Sequence, residues 1–432
     1  MSPIFATRLN SNTSLDRIED LLRSFISQQR ELIALSKASE KLVSPAEETW
    51  TRLIKEFPDA SKNDFMSLWE HLSHLTNYRD VVHVTKGSKK LNSLLVEVQR
   101  KHSGRYLLYL NGAHNSQLSK NRLSTAILPM LISDFEVLVG ELIKFMFEHE
   151  PELDIDLEEK FTYNDVASYS EFENFKKAVI EKYITSKMSR LSFPDYLNPL
   201  KKISLFSFTQ NSIPSWINSL ELVESFQRRH LIIHNESKVS TKFLDVMSRR
   251  FQDYELPEHD TILHTDHTYL LRTANHLFIA VLSLTTFMLR TCTTEEDLLS
   301  NWKSIISDLT LDALLEERYE IAYMIKNIKE LYVYTTENLL DDSEQVIKVN
   351  GWLAMHELGF VDQMKQEVDE WNAAETENNR MILAKIILLE NYEEAHHLAK
   401  KLLKNREFEN AHWVAWPLFK RLREYDASKN QI

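Results

Sequence analysis

The chain contains 432 residues, of which 27% are charged and 43% are hydrophobic, and its net charge is −13. These proportions are those of a soluble folded protein and exclude wholesale disorder. The length predicts two to four domains of about 100–200 residues. The single cysteine, Cys292, excludes an intramolecular disulfide and a cysteine-based zinc site, which suits a reducing cytoplasm.

Glycine is scarce. Only six glycines occur, and residues 141–350 contain none, whereas an average usage of about 7% predicts roughly thirty. Tight β-turns and phosphate-binding loops depend on glycine, because other residues rarely adopt a positive φ. Neither GxxxxGK[ST] nor GxGxxG is present, so nucleotide sites of those two kinds are excluded. The composition therefore predicts an all-α protein.

The charge is distributed unevenly. Residues 295–432 hold 16 basic and 27 acidic residues, whereas residues 171–250 hold 13 basic and 8 acidic residues. A basic segment in an acidic protein is a candidate for anion binding, because the local potential governs association with charged partners. A solvated charged face without a ligand explains the same pattern, and charge alone leaves both interpretations open.

Residues 1–118 are predicted to form an N-terminal helical region. Residues 16–38 are amphipathic, and Ser44-Pro45-Ala46-Glu47 is a capping box with proline at the first helical position. Further helices are predicted over residues 63–78 and 88–102. No motif in this region suggests chemistry.

Residues 119–294 are predicted to form a four-helix bundle. The predicted helices cover residues 119–146, 170–189, 216–234 and 270–289. Four helices of these lengths can enclose one core. The most apolar stretch, residues 277–289, has thirteen residues, well short of the about 20 that a membrane span requires. It is predicted to be a buried core helix, and no membrane contact is predicted.

Residues 295–432 contain a weak internal repeat. Residues 344–371 resemble residues 378–403 after a shift of 32 positions, which superposes Phe360 on Tyr392. Paired helices at that spacing indicate a helical-hairpin array of the tetratricopeptide type, whose period is about 34 residues. Such arrays commonly bind proteins, so this region is predicted to hold a protein partner.

The segment that suggests chemistry is residues 224–240. Its central part reads Arg228, Arg229, His230, Leu231, Ile232, Ile233, His234 and Asn235. Three consecutive apolar residues predict a helix buried on most sides, and burying arginine and histidine is costly unless they are paired or functional. Asn235 suits a left-handed stop at the helix C-terminus, where the helix dipole favours protonated His234.

Arg229 and His234, with four residues between them, resemble the signature of the HEPN superfamily, the higher eukaryote and prokaryote nucleotide-binding fold. The polar residue usual directly after the arginine is His230 here. A long apolar helix upstream and a final apolar helix downstream match the order of elements in that family. The resemblance covers residues 119–294, about 40% of the chain.

The resemblance implies a ribonuclease that needs neither a metal nor another cofactor. In HEPN ribonucleases two protomers pair, and their motifs face each other across one composite cleft, which implies a homodimer. The 2′-hydroxyl of RNA is itself the nucleophile, so the protein must supply a proton carrier and a cation. Histidine titrates near neutral pH, and arginine offers a planar fork to the transition state.

Within this interpretation His234 is the general acid and base, and Arg229 binds the phosphate. His230 and Asn235 support them. HEPN sites often add a polar residue from the first helix of the bundle, which makes Asp134 a third member.

Several alternatives stay open. Arg228 lies one position before Arg229 and can replace it at a five-residue spacing. Arg229 and His234 are alternatively a polar pair that caps a bundle helix without catalysis. For Asp134, a buried capping or ion-pair role is an equal alternative.

A metal site is a competing interpretation of the histidines. His230 and His234 share one helix face, and His264-Thr265-Asp266-His267 would complete a ligand set. Leu231, however, occupies the position of the glutamate that helix-borne zinc proteases require, so no metal is predicted. Thr265 or Asp266 is predicted to cap the helix that begins near His267.

The predicted function is therefore a cytoplasmic, homodimeric HEPN endoribonuclease that acts in phage defence or in a toxin–antitoxin system. Its predicted partners are RNA and, at residues 295–432, a protein antitoxin or trigger. In HEPN toxins that nucleotidyltransferase partners silence, a tyrosine two positions after the histidine accepts the nucleotide. Glu236 occupies that position here, which argues against control by that modification. The alternative from another class is a non-catalytic HEPN interaction protein, in which the repeats bind the partner.

Overall fold

A computed structural model describes residues 12–41, 51, 55–59, 61, 64, 106–149, 162, 166–190, 219–292, 296–328, 331–332, 342–372, 378–407 and 410–429. Within these ranges the structure contains helices and no β-strand, and Lys238 and Ile262 form an isolated antiparallel bridge. The predicted all-α class is therefore confirmed for the described residues. The capping box at residues 44–47 lies outside them, as do most of the helix predicted over residues 63–78 and all of that over residues 88–102.

The helices of the described ranges are numbered here in chain order. They are α1 (Asn12–Lys41), α2 (Tyr106–His149), α3 (Phe172–Arg190), α4 (Leu220–His234), α5 (Thr241–Arg250), α6 (His267–Cys292), α7 (Glu296–Leu315), α8 (Tyr319–Lys326), α9 (Asp342–Glu357), α10 (Val361–Glu370), α11 (Asn379–Leu388), α12 (Tyr392–Lys404), α13 (Asn410–Ala415) and α14 (Lys420–Lys429), with a 3₁₀ turn at Pro417–Phe419.

The long helices lie where the hydrophobic pattern predicts them, with one difference in α2. This helix begins at Tyr106 rather than at residue 119, and it continues through Pro129. Its first thirteen residues contain four leucines and no proline, and leucine is among the stronger helix formers. The helix consequently runs through position 118, where a domain boundary is predicted.

The chain divides into two compact units, each assembled from separated segments. Unit 1 contains residues 1–26, 135–223 and 275–432, and unit 2 contains residues 27–134 and 224–274. The division into three consecutive domains at residues 118 and 294 remains a prediction. Both arginines and both histidines of the segment that suggests chemistry belong to unit 2.

The core of unit 2 is built from apolar side chains of α1, α2, α4, α5 and α6. Residues less than 3% exposed include Ile127, Leu131, Leu231, Phe243, Met247 and Leu270. In the same unit, the Gln29 side chain donates a hydrogen bond to the Leu131 carbonyl at 3.3 Å, and Ser36 Oγ lies 3.3 Å from His267 Nδ1. These polar contacts join α1 to α2 and to α6 within the unit.

In unit 1 the apolar part of α6 is buried, as predicted. Leu277, Val281 and Leu282 are fully buried, and Trp302 Nε1 donates to Thr286 Oγ1 at 3.0 Å. By length and composition His267–Leu289 could cross a membrane, but 78% of its most apolar window is buried inside the protein. Such burial is typical of a core helix.

Helices α7 to α12 form successive pairs that are joined by short turns. The pairs α7–α8, α9–α10 and α11–α12 each pack together, so the predicted paired helices are confirmed. The tetratricopeptide type and the partner-binding role of these helices remain predictions.

The helices α7, α9, α11 and α12 end in the same backbone motif. Residues with a φ between 58° and 87° follow each of them, namely Glu317, Gly359, Glu390 and Arg406. The N–H after each of these residues donates to a carbonyl five positions earlier at 2.8–3.1 Å, for example Phe360 to Met355 and Asn391 to Ile386. This is a Schellman-type C-terminal cap.

The repeated cap fixes the true register of the repeat. Phe360 and Asn391 occupy the same position after their caps, so the two helix pairs are offset by 31 residues. The predicted shift of 32, which superposes Phe360 on Tyr392, is therefore wrong by one. The sequence alone misses this, because superposing the two aromatic residues shifts the alignment by one. In the true register Phe360 aligns with Asn391, and Val361 aligns with Tyr392.

Candidate functional site

The candidate site lies at the C-terminal end of α4. Leu231 is 2% exposed, whereas Ile233 is 52% exposed and the side chains of His230 and His234 are also exposed. With 3.6 residues per turn, positions 230, 233 and 234 share one helix face. Residues 222–226 of α4 are all buried, so the prediction of a helix buried on most sides holds for its N-terminal half. It is wrong for the last turn, where Leu231 is packed and the opposite face is exposed.

The end of α4 is fixed by backbone hydrogen bonds and by the side chain of Asn235. The Asn235 N–H donates to the Leu231 carbonyl at 2.8 Å, and Asn235 Nδ2 donates to the Lys238 carbonyl at 2.6 Å. The left-handed residues are Glu236 and Ser237, with φ of 51° and 65°. Asn235 thus supports the turn through its amide, and the prediction of a left-handed Asn235 is wrong.

The chain after this turn pairs with a second extended segment of unit 2. The Val239 N–H donates to the Thr261 carbonyl and the Leu263 N–H donates to the Ser237 carbonyl, both at 2.9 Å. Ser240 then caps α5, since its Oγ accepts from the Phe243 N–H at 3.2 Å. This short pairing holds the chain around Val239 extended until α5 begins.

His230 and His234 are in ring contact. Their ring centroids lie 4.7 Å apart, with an angle of 52° between the ring planes. The pKa of His230 is lowered, first by partial burial and then by the positive charges of Lys242, His234 and Arg229. We call these four residues, Arg229, His230, His234 and Lys242, the basic cluster.

Arg228 serves a different purpose from Arg229. Its Nε donates to the buried carboxylate of Glu224, and its Nη1 donates to the His264 carbonyl at 2.9 Å. Its guanidinium also lies over the ring of Tyr269, 4.2 Å from the centroid. Arg228 is therefore part of the interior of unit 2, which makes it a poor substitute for Arg229 in binding a ligand.

The interior group around Arg228 has shifted pKa values. Burial, followed by the charge of Glu224, raises the pKa of Tyr269 well above its usual range, so its hydroxyl stays protonated and donates to Glu224 at 2.5 Å. Burial lowers the pKa of Arg228, but the charges of Tyr269 and Glu224 outweigh this and raise it overall. Arg228 therefore stays charged and the Tyr269 hydroxyl stays neutral throughout the physiological pH range.

Asp134 is not brought to the basic cluster by any contact among the described residues. It lies half-buried on α2, and burial raises the pKa of its carboxyl. Among the residues described, it forms neither a hydrogen bond nor an ion pair, so the alternative of a local ion pair finds no described partner. Its membership of the site remains a prediction.

The residues proposed for a competing metal site have other contacts. Asp266 Oδ1 accepts from the Tyr269 N–H at 2.7 Å, which confirms the predicted cap of α6 and selects Asp266 over Thr265. The His264 carbonyl accepts from Arg228. In the described ranges no group of three His, Cys, Asp or Glu side chains is arranged to hold a metal ion.

Sequence reasoning missed Lys242, Glu224 and Tyr269. Glu224 and Arg228 stand at i and i+4 of one helix, a spacing that signals an ion pair, so this contact could have been found. Lys242 and Tyr269 lie on other helices, and nothing in their local sequence indicates that they approach α4.

Comparison with known proteins yields no relative. No family model, no curated protein and no solved structure matches the chain. The resemblance to the HEPN superfamily therefore rests on Arg229, His234 and their helical setting.

Proposed function

We propose that this protein is a metal-independent HEPN endoribonuclease. The observation that carries the proposal is the contact between the exposed rings of His230 and His234, beside the cations Arg229 and Lys242. Two imidazoles can move two protons, and two cations can hold one phosphate between them. Cleavage of RNA by its own 2′-hydroxyl uses a proton acceptor, a proton donor and positive charge beside the phosphate.

The roles of the four residues follow from their chemistry. Arg229 binds a non-bridging phosphate oxygen through its planar fork, and Lys242 adds a second positive charge. His230, whose lowered pKa keeps it neutral at pH 7, accepts the proton of the 2′-hydroxyl. His234 donates a proton to the 5′-oxygen as it leaves, and the products carry a 2′,3′-cyclic phosphate and a free 5′-hydroxyl.

The proposal includes a homodimer and a regulator, as the resemblance to the HEPN superfamily implies. Two copies would bring two basic clusters to one composite cleft. The acidic residues 295–432 would bind a protein antitoxin or trigger, in phage defence or in a toxin–antitoxin system of the cytoplasm. Asp134 and Asn235 would support the site, Asn235 by the hydrogen bond that holds the turn after His234.

The proposal is tested by incubating the full chain with an RNA oligonucleotide that carries one 2′-O-methyl group at the main cleavage position. We expect cleavage of the unmodified RNA in EDTA, 2′,3′-cyclic phosphate ends by mass spectrometry, and resistance at the methylated position. Loss of cleavage in EDTA that zinc or manganese restores would contradict the metal-independent mechanism. Absence of cleavage under every trigger tested would favour the non-catalytic alternative.

A second candidate function is a non-catalytic interaction protein. The observation that favours it is a mainly apolar pocket of about 300 Å³ in unit 1, whose wall includes Leu311, Met381, Trp416 and Phe419. Pockets of this size and composition commonly bind ligands. Retention of a partner by the full chain, together with no cleavage of RNA, would support this candidate.

A further inference from the structure

A second pocket, of about 370 Å³, lies in unit 1 beside α8, α9 and α10. Its wall includes Lys326, Tyr332, Lys348, Trp352 and Glu367. Its volume falls in the range of about 300–1,000 Å³ typical of small-molecule sites. Nothing in the proposed ribonuclease mechanism uses these residues.

One side of this pocket is held by a network of hydrogen bonds. Glu367 Oε2 accepts from Lys326 Nζ at 2.6 Å and from Trp352 Nε1 at 2.8 Å. The Tyr332 hydroxyl donates to the Lys326 carbonyl at 2.8 Å. These contacts fix the wall before any ligand arrives, which lowers the entropic cost of binding.

Two of the three lysines near the pocket pair directly with a carboxylate. Lys303 pairs with the buried Glu344 at 2.6 Å, and Lys326 pairs with Glu367 at 2.6 Å. Lys348 is the third lysine of this group and is half-buried. Within the part of the chain that the structure describes, its ammonium has no hydrogen bond and no carboxylate partner, and its Nζ lies 5.1 Å from the centroid of the Tyr332 ring.

Among the described residues, no carboxylate contacts the ammonium group of Lys348 directly. A cation removed from water is costly unless an opposite charge accompanies it. The pKa of Lys348 is accordingly lowered: burial is the main cause, and Lys326 adds to it, although Glu344 and Glu367 act in the opposite direction. An anion in the pocket would supply a direct partner for this ammonium group.

We infer that this pocket binds a small organic anion whose single carboxylate or phosphate group is held by Lys348. The rings of Tyr332 and Trp352 offer an apolar wall to the remainder of the molecule. Glu370 also lines the pocket and would repel a second anionic group, so the site selects molecules with one such group. This inference does not depend on ribonuclease activity.

The test measures how fast Lys348 of the full chain reacts with acetic anhydride, followed by mass spectrometry of the peptides. Benzoate and phenyl phosphate are the probes, with chloride at equal ionic strength as the reference. We expect each bound probe to slow acetylation of Lys348 about tenfold at ten times its Kd. Protection by benzoate alone would assign the ligand to the carboxylates, and protection by phenyl phosphate alone to the phosphates. Either result would support the site.

Lys365 is the matched control, because its ammonium already pairs with Glu390 at 2.5 Å and it does not line the pocket. Its acetylation should be independent of both probes. Thermal unfolding of the K348Q variant should lose any stabilisation by the probes, whereas K348R should retain it. Equal acetylation of Lys348 with and without both probes would overturn the inference, whether or not the protein cleaves RNA.

Discussion

The hydroxyl of Tyr269 donates a hydrogen bond to the carboxylate of Glu224 at 2.5 Å, and that carboxylate also binds Arg228. Glu224 is 6% exposed and Tyr269 is 8% exposed. The two adjacent arginines of α4 consequently have different surroundings and different roles. Arg228 completes a buried group, while Arg229 contributes charge to the basic cluster at the helix end.

The first prediction separates these two arginines by stability. R228A leaves the buried carboxylate of Glu224 without its cation, and removing one partner of a buried pair typically costs about 3–5 kcal/mol. R229A should reduce the free energy of unfolding by a smaller amount. Urea unfolding followed by circular dichroism measures both. Equal losses in the two variants would show that Arg228 is not a structural residue.

The second prediction separates the same arginines by activity. R229A and H234A should each lower the rate of RNA cleavage by about 10²–10⁴-fold, as is typical for loss of a positioned catalytic group. R249A is the matched control, because Arg249 is exposed and pairs with Asp245 on α5. Cleavage by R229A at the wild-type rate would contradict the assigned phosphate contact.

The third prediction concerns the pH dependence of His230. Because its pKa is lowered from 6.5, His230 stays neutral at lower pH than an unperturbed histidine. The cleavage rate should therefore fall on the acidic side of the pH–rate profile only below pH 6.5. K242Q removes one of the charges that lower this pKa, so the pKa and the acidic limb should both move upward.

Imidazole NMR signals and the pH–rate profile measure this shift. K238Q is the control, since Lys238 pairs with Glu236 at 3.0 Å and is not among the causes of the shift. An unchanged His230 pKa in K242Q would show that Lys242 does not belong to the basic cluster.

The fourth prediction concerns Gly351 in α9. Replacing glycine by alanine inside a helix normally stabilises it by about 1 kcal/mol. Here the new Cβ would lie 2.7 Å from Cγ and Cδ of Lys326, so G351A should destabilise unit 1 instead, by about 1–3 kcal/mol as for other overpacked sites.

Thermal unfolding gives the sign of this effect. G359N is the control: Gly359 has a φ of 87°, and no atom lies within 4 Å of the position that a Cβ would take there. Asparagine also tolerates the left-handed region better than most residues. A higher melting temperature for G351A would contradict the close packing of Lys326 on Gly351.

Helix positions follow from the sequence because they depend on local periodicity. The apolar spacing of residues 270–289 and the helix pairs between 344 and 403 needed no tertiary information. The C-terminal caps between paired helices are harder to predict from the sequence. Glycine is the usual residue at the left-handed position of such a cap, but three of the four positions hold Glu317, Glu390 and Arg406. The sequence therefore does not mark these caps, and the register of the repeat follows only from the backbone hydrogen bonds.

In the candidate site, the contact between His230 and His234 is predictable from the sequence, because α-helical geometry brings residues four apart onto one face. Which of the two adjacent arginines enters the interior depends on contacts with residues far along the chain. Arg228 and Arg229 are adjacent and have the same charge. They differ because Tyr269 and the His264 carbonyl approach the side of α4 that carries Glu224 and Arg228. Lys242 lies on the next helix, α5, and its positive charge acts on His230. This approach depends on how the chain folds between the two helices, which local pattern does not encode.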